Sequence, residues 1–230
     1  MQLRCATFNV LADAYLDHGD YSHADPELLK PQGRLPYLLR TITDLEADVI
    51  GLQEVEAWLL EALRATRRWQ IFWTPKIGGK PDGCLMLVNS NIEVADFKSI
   101  QYRDGSNHVM QWVLINGVTM LNTHIRWDLF YRVSQAQRVL GELGERPAVI
   151  LADSNDRPGE PVHELIEQAG FWNVWGDAPT ALIGSEHAPI DLLAVRGVDA
   201  CREGTLSPLD GIPTLQCPSD HVPVMVELAD

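Results

Sequence analysis

The sequence predicts an α+β fold, a sandwich of sheets covered by helices. Three observations predict it. Nine apolar runs have the length of strands, only a few stretches carry helical periodicity, and the strands come in runs rather than alternating strictly with helices. A first strand is expected over 3–10. Residues 17–33, rich in Gly, Pro and Asp, read as loop, and Leu35, Leu38, Leu39, Ile42 and Leu45 then recur at helical spacing. A buried strand follows over 48–53, with further strands over 70–73, 84–88, 109–115 and 118–122. Ala136, Val139, Leu140 and Leu143 mark a second amphipathic helix, followed by a strand over 148–151. A third helix is expected to start near Pro161 and stop at Gly170, before strands over 190–195 and 222–228.

At about 150 residues per domain, 230 residues lie between one and two domains, and the mixed pattern reads as one domain spanning 1–230. No run approaches the roughly 18 apolar residues of a membrane span. The first sixteen residues lack the export pattern, because the apolar run after Arg4 is broken at Asn9 and Asp13. Cys5, Cys84, Cys201 and Cys217 form no Cys-x-x-Cys pair, so they read as reduced thiols and the compartment as cytoplasmic. Eighteen Lys and Arg against 32 Asp and Glu give a formal charge of −14. A body this acidic repels a long polyanion, so any nucleic-acid role requires a local basic patch, a cation or a short substrate.

The chemistry-bearing residues sit where strands stop. Asn9, Glu54, His124, Asp153 with Asn155, Asp191, and Asp220 with His221 each end, open or adjoin an apolar run. Any one of them alone reads as a turn, a cap or a hydrogen-bonded structural histidine. Together they are what strand ends converging on one mouth deliver. Carboxylate and amide oxygens suit Mg²⁺ or Mn²⁺, whereas zinc prefers Cys and closely spaced His, a pattern missing here. Arg126 and Trp127, with Tyr131 and Arg132, interleave aromatic and basic side chains, as do Trp73, Lys76 and Lys80. Such mixtures suit a few stacked nucleotides, or equally a core edge and a solvated face.

In the order Asn9, Gln53-Glu54, Asp82-Gly83, Asn122-Thr-His124, Asp153-Ser-Asn155, Ile190-Asp191 and Ser219-Asp-His221, the chain resembles the endonuclease/exonuclease/phosphatase superfamily over residues 3–228. Thr7-Phe-Asn-Val-Leu-Ala-Asp-Ala-Tyr15, Leu52-Gln-Glu-Val-Glu56, Pro81-Asp-Gly-Cys84 and Thr123-His-Ile-Arg-Trp-Asp128 are most similar to its deadenylase, nocturnin and Angel-like branch. The resemblance implies a four-layered α/β sandwich of two packed mixed sheets flanked by helices. It implies Glu54 as the main metal ligand with Asn9 and Asp220 nearby, and Asp153 with Asn155 orienting or deprotonating water. It also implies His221 on the phosphate, held by Asp191, and His124 donating a second hydrogen bond. Asp82 either orients His124 from behind or is a turn residue.

The activity implied is Mg²⁺- or Mn²⁺-dependent hydrolysis of phosphate esters at RNA 3′ ends, of 3′-exoribonuclease type. The alternative is a phosphatase acting on a terminal or 2′,3′-cyclic phosphate of RNA, or on a small phosphorylated molecule. An apurinic DNA endonuclease and a catalytically dead binding module rank behind. The expected partner is short single-stranded RNA or an RNA 3′ end bound by a monomer, with Arg126 and Trp127 on the substrate and no obligate protein partner. Two departures from the branch remove the expectation of adenine preference. Ser154 stands where the family places an aromatic, and Gly184-Ser-Glu-His-Ala-Pro-Ile-Asp191 lacks the aromatic that stacks the terminal base.

Overall fold

Side chains alternate across the first strand, β1 (Leu3–Asn9): Cys5 faces one apolar layer while Ala6 and Phe8 face another. A strand buried on both faces needs cover on both, and the architecture follows. The computed structural model describes residues 2–204 and 209–229. After β1 come two 3₁₀ turns (Asp13–His18, Pro26–Leu29), α1 (Pro31–Asp44), β2 (Val49–Glu56), α2 (Ala57–Thr66), β3 (Trp69–Pro75) and β4 (Asp82–Asn89). Next are β5 (Asp96–Gln101), β6 (Val109–Ile115), β7 (Val118–His124), α3 (Leu129–Leu143), β8 (Ala148–Asp153) and α4 (Pro161–Gln168). The chain ends with β9 (Trp172–Asn173), β10 (Ala181–Ile183), β11 (Glu186–Ala188), β12 (Asp191–Arg196), β13 (Asp199–Glu203) and β14 (Val224–Ala229).

Two six-stranded mixed sheets result, in the orders β13-β14-β1-β2-β4-β3 and β5-β6-β7-β8-β12-β9, beside a small β10–β11 hairpin. Val49, Met86, Val113, Met120, Leu151, Leu193 and Val226 fill the space between the sheets. Leu38, Ile42, Leu59 and Leu63 pack α1 and α2 on the outside of the first sheet; Ala136, Val139, Val162 and Ile166 pack α3 and α4 on the second. This is the expected four-layered sandwich. Gly51 marks a place where the sheets come close, since a Cβ there would lie 2.9 Å from Leu151 Cβ and 3.1 Å from the Asn122 side chain. Beside it Gln53 donates to Asn122 Oδ1 (2.8 Å), and Asn122 donates to the Leu52 and Leu85 carbonyls (3.1 and 3.0 Å), a buried polar staple between the sheets.

Some elements differ from the expectation. The loop reading of 17–33 ends at residue 30, because Pro31 opens α1 at the position where a missing N–H costs nothing. The edge strands β5 and β13 were not anticipated, because exposed, charged edges such as Asp-Phe-Lys-Ser-Ile-Gln lack the alternation of a half-buried strand. Helix α2 and the short strands β9 to β11 were likewise unplaced. All four cysteines are free, as expected.

Candidate active site

Parallel pairing sets the location. β1 runs parallel to β2 and β7 parallel to β8, with Asn9 opposite Gln53 and His124 opposite Asp153. β12 runs antiparallel to β8 with its first residue, Asp191, opposite Asp153. The C-terminal ends of four strands and the start of a fifth therefore meet at one edge. Glu54 arrives by a further device. The β2–β4 register slips between Leu52 and Val55, and Glu54 has φ +59°, so a β-bulge re-aims its carboxylate.

Asn9 lies at the centre. Its Nδ2 donates to Glu54 Oε1 (3.1 Å) and Asp153 Oδ2 (2.8 Å), while its Oδ1 accepts from Leu11 N (3.0 Å), so one amide ties the two acids together. Ala12 N holds Glu54 Oε2 (2.9 Å) and Asn155 N holds Asp153 Oδ1 (3.0 Å). Burial pushes Glu54 up to about 7; the charge of Asp220 adds to this, against the donors from Ala12 and Asn9. Burial likewise pushes Asp153 up to about 6, with the charge of His221 opposing. Asp220 accepts a 2.6 Å hydrogen bond from the Tyr21 hydroxyl.

Two imidazoles flank Asp153 Oδ2, His124 Nε2 at 3.6 Å and His221 Nε2 at 3.8 Å. His221 Nδ1 is 2.8 Å from Asp191 Oδ2, the expected pair. Burial lowers the His221 pKa, but the charge and hydrogen bond of Asp191 and the charge of Asp153 outweigh it, and the ring stays protonated well above the ordinary histidine range. His124 is held well below that range by burial and by Lys76, His108 and His221. Asn155 Nδ2 donates to the Ile125 carbonyl (2.9 Å) and faces His124 Nε2 at 3.1 Å. With Nε2 accepting, the proton of the neutral ring is on Nδ1, which has no hydrogen-bond partner among the described residues and lies 3.8 Å from Glu54 Oε1.

These groups open into a cavity of about 660 Å³. Arg126 and Trp127 line it, and Trp127 is 69% exposed, so it does not cover the core edge. Asp82 is corrected: it neither orients His124 nor makes a turn, but opens β4 as a buried carboxylate 2.7 Å from Lys76 Nζ, which also reaches the Tyr15 hydroxyl at 2.9 Å. Lys76 is thus an internal ion-pair partner rather than part of a solvated face. Tyr15, His108 and the Leu182–Ile183 wall of the β10 hairpin also line the cavity and were not found from sequence. Tyr15 and the Leu182–Ile183 wall depend on loop packing and leave no pattern at strand ends, whereas His108 adjoins the apolar run 109–115 and could have been found there. Glu54, Asp153 and His124 each offer a ligand atom, all within 4.8 Å of one another, with Asp220 beside Glu54. The crowded carboxylates fit a hard divalent cation, and the unpartnered Nδ1–H of His124 faces them as a donor.

Residues 6–221 match the family model of the Endonuclease/Exonuclease/phosphatase family. Carbon catabolite repressor protein 4 homolog 4 of Arabidopsis thaliana is 24% identical over 296 residues, covering 96% of this chain and 69% of that protein. The structure of ANGEL2, a 2′,3′-cyclic phosphatase in complex with adenosine-2′,3′-vanadate, superposes with a TM-score of 0.84 at 16% identity, covering 99% of this chain and 95% of that one. The human nocturnin catalytic domain with bound sulfate gives 0.75 at 17%, covering 99% and 94%. The mannosyl-6-phosphatase Bt3783 of Bacteroides thetaiotaomicron gives 0.75 at 15%, covering 99% and 100%.

Proposed function

This chain belongs to the endonuclease/exonuclease/phosphatase family and is a metal-dependent phosphoric-ester hydrolase; within that chemistry we propose that it is a phosphodiesterase of 3′-exoribonuclease type, hydrolysing phosphate esters at the 3′ ends of short single-stranded RNA. One observation carries the choice of substrate. The cavity that holds the imidazole pair and the acids is rimmed by an exposed indole and a guanidinium, Trp127 and Arg126, so phosphate and base contacts are available together.

Glu54 and Asp220, with Asn9 beside them, are the residues that would hold Mg²⁺ or Mn²⁺, which when bound would polarise a phosphoryl oxygen and offset developing charge. The chain's own groups do the rest. Asp153, anchored by Asn9 and by the Asn155 N–H, takes the proton of the attacking water. Protonated His221, oriented by Asp191, donates to a phosphoryl oxygen, and the Nδ1–H of His124 donates to another. Asn155 fixes the His124 tautomer.

The test uses 5′-labelled RNAs ending in 3′-hydroxyl, 3′-phosphate or 2′,3′-cyclic phosphate, with Mg²⁺ or Mn²⁺. A ladder from the 3′ end supports the proposal. A one-step change of end group moves the assignment to a phosphatase, and no change with any end or metal overturns both. Ends in A, C, G and U should differ by about tenfold or less, the 1.4 kcal/mol of one modest contact. Glu54→Gln should lower turnover by roughly three orders of magnitude or more while the circular-dichroism spectrum is retained. Near-normal turnover at low Mg²⁺ would remove Glu54 as principal ligand.

A further inference from the structure

Resting on the reading of the site as one that takes an RNA end, we infer that the shoulder made by the β7–α3 connection and the first turn of α3 is a stacking track for nucleotides upstream of the reacting end. Seven large apolar side chains are exposed among the described residues, and three fall within four positions here: Trp127 (69%), Leu129 (54%) and Phe130 (80%). Singly exposed apolar residues are ordinary; three so close in sequence, the first of them lining the cavity, mark a contact surface. The set is held in place. Asp128 caps α3 by accepting from Phe130 N at 3.0 Å, while α3 turns Ala136, Val139 and Leu143 to the core.

The rings lead outward from the cavity. The Tyr131 hydroxyl lies beside Gly105, which lines the mouth, and the Arg126 guanidinium stacks 5.1 Å from the Tyr131 ring centre. Phe130 meets Tyr131 edge-on at 5.4 Å between centroids. The surface is thus continuous with the site and passes from cation to exposed ring. The occupant is a single strand of nucleic acid. With a formal charge of −14 the body repels a polyanion, and base stacking provides attraction that does not depend on net charge. A compact phosphorylated sugar filling the cavity leaves Phe130 without a function.

The experiment uses the full chain carrying Asp153→Asn to stop turnover, with Mg²⁺, and measures fluorescence anisotropy of 5′-labelled RNAs of eight and two nucleotides. Adding Phe130→Ala should raise Kd for the eight-nucleotide RNA by about fivefold to twentyfold and leave the two-nucleotide Kd within about twofold. Phe130→Trp should restore it. The loss should persist as KCl is raised, because stacking is not ionic. Equal losses on both lengths, or none on either, overturn the track while leaving the site reading intact. A parent that binds neither RNA overturns the reading of the site, and the track with it. Sedimentation showing that Phe130→Ala turns a dimer into a monomer assigns the face to a second copy of the chain and also overturns the track.

Discussion

His221 and His124 both approach one carboxylate oxygen of Asp153, at 3.8 and 3.6 Å, and both are 7% exposed. Their charge states nevertheless diverge. His221 has Asp191 at 2.8 Å and remains protonated; His124 has an amide on one nitrogen, Lys76 and His108 nearby, and remains neutral. Burial disfavours the charged ring at both positions. The partner decides, because a carboxylate in hydrogen-bond contact offsets desolvation and an amide does not. The cavity floor thus has one cationic donor and one neutral donor side by side, which lets both face an anionic phosphate without repelling each other.

The strongest way to break this comparison is to remove the carboxylate. His221→Ala and Asp191→Asn should each lower kcat/KM by about 10³-fold or more. The double variant should lose far less than the product of the two, because the residues act as a unit. Strictly multiplicative losses in steady-state assays would dissolve the pair. His124→Ala should cost less, about 10²-fold, the loss of one preorganised donor, and should combine nearly multiplicatively with His221→Ala. Stronger coupling would mean that the two rings share one role.

A buried neutral histidine outside the site sharpens the same lesson. His163 on α4 faces Ser154 Oγ at 3.4 Å, and burial pushes it down to about 4 against a hydrogen bond to the Asp156 backbone and the charge of Glu160. Between pH 6.5 and 4 the unfolded chain binds a proton that the folded chain refuses, so the wild type loses stability as pH falls through that window. The loss is about 2–3 kcal/mol. His163→Gln lacks this liability, so urea titrations should show the gap between variant and wild type closing by that amount from pH 7 to 4. A constant gap would show that burial does not hold this ring neutral. The smallest effect concerns the acidic side of the floor. Tyr21→Phe removes the 2.6 Å hydrogen bond to Asp220 and should weaken Mn²⁺ binding about tenfold by calorimetry, with thermal stability in chelator little changed. Unaltered Mn²⁺ affinity would show that Asp220 needs no such positioning.

What could be read from the sequence follows from where information is local. The buried strands show as apolar runs, and Asn9, Asp153 and Asp191 stand out because an acid or amide at the end of such a run is visible without knowing its neighbours. Edge strand β5 and the β10 hairpin were not visible, since their residues answer to solvent and to loop packing. Tyr21 and Asp220 are 199 positions apart, and Lys76 pairs with Asp82 only because the β3–β4 turn folds Lys76 inward. No spacing rule announces such contacts.

By itself the sequence determined the period-two strands, the layers they require and the residue types delivered to strand ends, because side-chain alternation and burial are properties of short stretches. Only the tertiary structure decided that a bulge aims Glu54 at Asn9 and that Trp127 stands at the rim rather than in the core. It also decided that one of two equally buried histidines is charged. A ring's charge depends on what stands beside it, and His221 keeps its proton only because folding brings Asp191, thirty residues away, to 2.8 Å.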